Sequence, residues 1–195
     1  KPAEIIIENG TIANVLTQEL IEANIAIAKG KIIYVGQASE DFKGAKTQVI
    51  DAKGKYIVPG FIESHIHIES SMLTLTEFAK AIVRHGTTTC VIDPHEIANV
   101  LGVKGINILV KESKNLPIRF LIEVPSCVPA VTGLETPGAV ISSKKIKKLI
   151  KRKEFFALAE MMNYPGVFLG DKEVLAKISA TLTNNKIVEG HAPLL

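Results

Sequence analysis

The sequence predicts an α/β protein: a partial TIM-type (β/α)8 barrel of about five β/α units, preceded by part of a small β-sandwich domain. Three observations carry that expectation. From Val58 onward, short β-rich apolar runs alternate with stretches of helical period, the rhythm of a parallel sheet with right-handed crossovers. Polar residues collect just past the carboxyl ends of those strands, where a barrel of this kind keeps its chemistry. Before Val58 the helical period is absent, and short apolar runs are punctuated by turn residues. The expected boundaries are residues 1–57 for the N-terminal part of the sandwich and 58–195 for the first five strands of the barrel.

The N-terminal runs read as strands over Glu4–Glu8, Thr11–Leu16, Ala23–Ala28, Lys31–Val35 and Thr47–Asp51. Asn9-Gly10 is a strong hairpin signal, and Lys29-Gly30 and Lys53-Gly54 mark further turns. So few strands do not make a free-standing sandwich, so more strands are expected from elsewhere. After Val58, strand one ends at His65 and His67. A helix over Thr74–His85 follows, capped by Thr74 or Thr76, with Leu75, Phe78, Ala79, Ile82 and Val83 as its buried stripe. Thr87–Ile92 is strand two, followed by the loop Asp93-Pro-His-Glu96 and a helix to about Lys114. Arg119–Val124, Phe156–Ala159 and Lys186–Glu189 are strands three to five, with helices from Ser142 or Ser143 and over Asp171–Thr183 between them. An open doubly wound sheet would use the same rim, but no glycine-rich phosphate loop is present. A full barrel takes about 250 residues. The 195-residue chain, which does not begin with Met, is therefore expected to be a fragment.

Hydrophobic residues make up 47% and charged residues 22% of the chain, enough apolar surface for a real core. A net charge of +3 argues against a nucleic-acid partner. The basic run Lys144, Lys145, Lys147, Lys148, Lys151, Arg152 and Lys153 is interleaved by Ile146, Leu149 and Ile150 at helical spacing, the pattern of a solvated helix face. Cys90 and Cys127 stand in apolar contexts without CxxC spacing, as buried thiols of a cytoplasmic protein do. No apolar run reaches about 18 residues, so no membrane partner is expected.

In an extended strand, residues i and i+2 face the same side, so His65 and His67 project together and can take two positions on a divalent metal. A water-facing strand end is the alternative for that pair alone. Glu160 and His191 stand at the ends of strands four and five, positions that converge in a closed barrel. A carboxylate between two imidazoles can bridge a pair of metals. Singly, Glu160 would also suit a turn cap and His191 a loop. His95 and Glu96, after strand two, are the catalytic candidates, able to shuttle protons, bind substrate or hold a further metal. A helix N-terminus would equally explain Glu96.

The run Val58-Pro-Gly-Phe-Ile-Glu-Ser-His-Ile-His67 is similar to the signature of the amidohydrolase superfamily. More narrowly, six blocks resemble the adenine deaminases of bacteria and archaea. These are His67-Ile-Glu-Ser-Ser-Met72, His85-Gly-Thr-Thr-Thr89, Asp93-Pro-His-Glu-Ile-Ala-Asn99, Pro125-Ser-Cys-Val-Pro129, Ala159-Glu-Met-Met-Asn-Tyr-Pro-Gly166 and Gly190-His-Ala-Pro193. The resemblance implies hydrolysis of adenine to hypoxanthine and ammonia at a binuclear Mn(II) or Fe(II) centre. His65 and His67 would bind the first metal, Glu160 would bridge, and His191 would bind the second. It further implies a His on strand six and an Asp on strand eight, which would lie beyond Leu195, so the chain alone is expected to have little activity. A homo-oligomer is expected. The alternatives are a cyclic amide hydrolase, whose relatives carry a carboxylated Lys where Glu160 stands, and a non-catalytic metal-binding module.

Overall fold

The computed structural model describes residues 2–192. The chain divides into two compact units, Lys1–Pro59 and Gly60–Leu195. Among the described residues no helix is long and apolar enough to cross a membrane.

The first unit holds the strands β1 (Ile5–Glu8), β2 (Thr11–Asn14), β3 (Glu19–Glu22), β4 (Asn24–Ala28), β5 (Lys31–Gly36), β6 (Gln48–Asp51) and β7 (Tyr56–Ile57). They form a four-stranded sheet, β5-β4-β1-β6, and a three-stranded sheet, β3-β2-β7. Strand alternation divides the core. Ile7, Ile25 and Ile27 of the larger sheet meet Ile12, Ile21 and Ile57 of the smaller one. Ile6 and Ala26 turn the other way, against Ala3, Tyr34 and Phe42.

Asn9-Gly10 is not the hairpin its sequence announces, because β1 and β2 lie in different sheets. A type I′ turn needs positive φ at both central residues. Asn9 has it, at 62°, and Gly10 does not. Gly10 is instead a close-packing position, where a Cβ would fall 2.6 Å from Ile57 Cδ1. Lys29-Gly30, with φ of 53° and 68°, does join antiparallel β4 and β5. The strand β3 escapes the sequence pattern because Glu-Leu-Ile-Glu is half charged and contributes Ile21 alone to the core cluster.

The second unit runs β8 (Phe61–Ile66), α1 (Leu75–Val83), β9 (Thr87–Ile92), α2 (His95–Leu101), α3 (Val103–Glu112), β10 (Arg119–Val124), α4 (Ser143–Leu149), β11 (Phe155–Met161), α5 (Tyr164–Phe168), α6 (Lys172–Leu182) and β12 (Ile187–Gly190). The five strands pair in parallel and in sequence order, β8 through β12. A doubly wound sheet reverses its order at a switch point. This one does not, and it curls so that His65 on β8 reaches Glu189 on β12. The result is part of a barrel wall, with a convex face under the helices and a concave face lined by polar groups.

Side chains of β9, β10 and β11 that point outward, including Ile92, Ile122, Val124 and Leu158, pack against Leu75, Phe78, Ile106, Ile146 and Ile150 from the helical layer. Burying each such side chain contributes about 1.5–3 kcal/mol. The lysines of α4 are exposed while Ile146 and Leu149 are buried, so Lys144, Lys145, Lys147 and Lys148 form a solvated helix face, whereas Lys151, Arg152 and Lys153 follow the helix in a turn.

Helix starts follow their caps. The Thr74 hydroxyl accepts the Glu77 N–H at 3.3 Å, and Asp171 Oδ1 accepts the Val174 N–H at 2.9 Å. The sequence predicts one helix from the Asp93 loop to about Lys114, but the chain breaks into α2 and α3 at Gly102. Its φ of 58° with ψ of −142° lies outside the regions open to L-residues, and a Cβ there would stand 2.9 Å from Ala139 Cβ. The short helix α5 is absent from the sequence reading because Pro165-Gly166 resembles a chain breaker. Proline is tolerated in a first helical turn, and Asn163 Oδ1 caps α5 by accepting the Gly166 N–H at 3.0 Å.

Candidate metal centre

The polar residues of the concave face are placed by strand alternation. On β8, Ile66 packs into the core while His65 and, one residue past the strand, His67 turn inward. Their rings stand 5.0 Å apart, centre to centre, and nearly perpendicular. Glu160, near the end of β11, lies between three imidazoles. His67 Nε2 is 3.3 Å from its Oε1, while His65 Nε2 and His191 Nε2 are 3.6 and 2.9 Å from its Oε2. His65, His67, Glu160 and His191 are thus brought together from the ends of β8, β11 and β12.

The tautomer of His67 is set from behind. Its Nδ1 lies 2.8 Å from the Asp93 carbonyl, a hydrogen-bond acceptor, so Nδ1 carries a proton and Nε2 is the nitrogen that faces Glu160. Burial pushes the His67 pKa down. The Asp93 carbonyl and the carboxylates of Asp93, Glu96 and Glu160 outweigh it, and the imidazole sits above its ordinary range. For Glu160, burial pushes upward, but the His191 hydrogen bond and the charges of His65, His67 and His191 hold its carboxyl below the usual range.

His95 and Glu96 stand beside that group at the start of α2, with the His95 ring 6.3 Å from that of His67. His95 is buried. The Cys127 backbone N–H donates to its Nε2 at 3.2 Å, and its Nδ1 lies 2.6 Å from Asp93 Oδ1 without the alignment of a hydrogen bond. Glu96 is exposed, and the Ser70 hydroxyl donates to it at 2.5 Å. His67, His95, Glu96, Asn99, Cys127 and Glu160 line a cavity of about 240 Å³, in which Asn99 Oδ1 has no hydrogen-bond partner.

Three carboxylates at the site were not singled out in the sequence reading. Asp93 is fully buried, and neither of its oxygens makes an aligned hydrogen bond. Glu123 on β10 is 1% exposed, with Oε2 unpartnered. Burial, and then the neighbouring carboxylate of Glu189, push the Glu123 carboxyl up to about 10. One ligand atom each from His65, Glu123 and Glu189 lie within 4.8 Å of one another. A signal for Glu123 was available, since it interrupts the apolar run Phe-Leu-Ile-Glu-Val of a buried strand.

The donor set fits a divalent cation. One atom each from His65, His67, Asp93 and Glu160 lie within 4.8 Å of one another, a mixed imidazole and carboxylate set suited to zinc, iron or manganese. Buried carboxylates with unpartnered oxygens are costly in isolation, by several kcal/mol each, and a cation offsets that cost.

Comparison with known proteins places these features in context. Residues 56–195 match the Amidohydrolase family. Adenine deaminase 3 of Rhizobium meliloti is 43% identical over 192 residues, which are 98% of this chain and 32% of that protein. Adenine deaminase of Clostridium acetobutylicum is 47% identical over 193 residues, 99% of this chain and 33% of that protein. The chain spans about a third of the length of the curated relatives it matches. A D-aminoacylase mutant in complex with copper chloride superposes with a TM-score of 0.70 at 16% identity, over 97% of this chain and 45% of its own. L-hydantoinase of Arthrobacter aurescens does so with a TM-score of 0.64 at 16% identity, over 97% and 41%. At that identity the two structures speak for the barrel fold alone.

Proposed function

The chain belongs to the amidohydrolase family, and from that premise we propose that the full-length protein hydrolyses adenine to hypoxanthine and ammonia at a divalent-metal centre. The observation that carries this reading is the convergence of His65, His67 and His191 on the Glu160 carboxylate, within a chain 43% and 47% identical to two adenine deaminases.

In this reading His65, His67, Glu160 and His191 would hold the metal, the carboxylate of Glu160 standing between the three imidazoles. We propose Mn(II) or Fe(II) in a binuclear arrangement. Bound metal lowers the pKa of water and polarises the reacting carbon. The protein's own residues do the rest. Asp93 holds His67 in its working tautomer through its carbonyl and stands against His95. Glu96, at the rim of the cavity, holds or moves the proton that the departing amino group needs, and His95, beside it on α2, accepts the Cys127 N–H and so ties the start of that helix to the loop after β10. The unpartnered oxygen of Asn99 in the same cavity is an acceptor for an exocyclic amine.

We place residues 1–57 as the N-terminal part of a β-sandwich domain and 58–195 as the first five strands of the barrel. The chain by itself is expected to release little or no ammonia, since it spans about a third of its relatives' length. Cys90 and Cys127 are free and buried, which suits a reducing, cytoplasmic setting; a homo-oligomer acting on a small molecule is part of the proposal. The test is ammonia and hypoxanthine formation from adenine by the full-length protein loaded with Mn(II). Product formation that a chelator abolishes supports the proposal, and absence of product from the Mn(II)-loaded protein refutes it.

A further inference from the structure

His65 and His67 turn the same ring edge toward Glu160, yet their other nitrogens meet different partners. Behind His67 is the main-chain carbonyl of Asp93, 2.8 Å from Nδ1. Behind His65 is a side chain, Glu189 on β12, whose Oε1 lies 3.4 Å from Nδ1. That contact is not a by-product of strand pairing. β8 and β12 stand at opposite ends of the five-stranded order and share no ladder hydrogen bonds. The two side chains meet because the sheet curls, and each is about one-third exposed. Glu123 completes the group. It is 1% exposed, it has an oxygen without a partner, and it lies within 4.8 Å of both neighbours.

We propose that Glu189 is the positioning residue for His65: its carboxylate accepts the Nδ1 proton and so keeps Nε2, the nitrogen that faces Glu160, unprotonated and aimed for the metal. The inference rests on the metal-centre reading above and extends it to a residue outside the ligand set. An imidazole has two neutral tautomers, and a carboxylate behind one nitrogen selects the form with its proton there and raises the basicity of the other. The two imidazoles are thus oriented from two directions, His67 by the loop that follows β9 and His65 by β12, the fifth strand of the wall. Metal binding and the curl of the sheet are coupled through the β8–β12 contact. The same three residues have the spacing of a cation site of their own, but ligation through Nδ1 would require His65 to bridge two ions, so positioning is the chemistry the geometry favours.

The experiment uses the full-length protein, stripped with chelator and titrated with Co(II), whose visible absorption reports ligation. Wild type, Glu189→Ala and Glu189→Gln are compared, and the tautomer of His65 is read by nitrogen-15 NMR in the metal-free wild type. Glu189→Ala is expected to weaken Co(II) binding about 10- to 100-fold, as loss of an outer partner does. Glu189→Gln, whose amide oxygen accepts the same proton, is expected to recover most of that loss. His65 should carry its proton on Nδ1. Equal Co(II) affinity in wild type and Glu189→Ala overturns the proposal, as does a proton on Nε2. Loss of a whole equivalent of Co(II) with the remaining affinity unchanged also overturns it, by making Glu189 a ligand. A wild type that takes up no Co(II) fails the metal-centre reading itself, an outcome distinct from the others. If Glu189→Ala does not fold, the wild-type tautomer decides.

Discussion

Replacing Glu123 with Gln should make the metal-free protein less sensitive to rising pH. Glu123 is 1% exposed on β10, and burial, together with Glu189 beside it, raises its carboxyl from an ordinary value of 4.5 to about 10. In the unfolded chain the same carboxyl ionises near its ordinary value. Between those two values the folded state keeps a proton that the unfolded state has released. Stability therefore falls as pH rises through that window, by about 1.4 kcal/mol per pH unit for one full proton. Across about pH 5 to 8 the ceiling is about 4 kcal/mol. Glutamine keeps the volume and donates an N–H toward Glu189, but it has no proton to lose. Urea unfolding of chelator-treated wild type and Glu123→Gln at several pH values in that range measures the effect. The wild-type free energy should fall with pH more steeply than the variant's, by up to that slope. Parallel pH dependences would refute the argument that Glu123 is held protonated in the fold.

Other consequences concern packing, backbone and metal uptake. Ile146→Ala should cost about 2–5 kcal/mol, because Ile146 is fully buried on the inner face of α4. The exposed neighbour Lys147→Ala should stay within about 0.5 kcal/mol, and thermal melts of the two variants separate the buried face from the solvated one. Gly102→Ala should destabilise by about 1–3 kcal/mol, since φ of 58° with ψ of −142° is closed to alanine and its Cβ would meet Ala139, a loss that denaturant midpoints would register. Metal uptake should weaken as pH falls, beginning at a higher pH than for an ordinary histidine. His67 must be neutral to ligate and its pKa is raised, so Co(II) titrations across the acid range should show proton competition.

The barrel wall was legible because its strands and helices obey their own periods. Thr87–Ile92 and Arg119–Val124 fall where β-branched and apolar runs predict, and the stripe from Leu75 to Val83 is the buried face of α1. The chain order of those elements also announced the sheet order, since parallel neighbours joined by helices follow one another. What the sequence concealed depends on tertiary context. Asn9-Gly10 has hairpin composition, but the packing of Ile57 and Ala52 around Gly10 marks a change of sheet. Gly102 sits within a continuous helical period, and its positive φ is a backbone property that no periodicity reveals. At the site, His65-Ile66-His67 was legible because two imidazoles at i and i+2 share a face. Glu189 was not, because its meeting with His65 depends on the curl of five strands, 124 residues apart in the chain. Asp93 belonged to a quoted run of polar residues, yet its burial and unpartnered oxygens are properties of the fold alone.

As proposed above, His65, His67, Glu160 and His191 enclose a divalent-metal centre. Anomalous scattering at the manganese edge, from crystals of the full-length protein grown with Mn(II), tests it most directly. Strong density is expected within ligand distance of His65 Nε2, His67 Nε2 and the Glu160 carboxylate, with a second peak beside His191. Density elsewhere, or imidazoles left bonded to Glu160 with no anomalous peak between them, would contradict it.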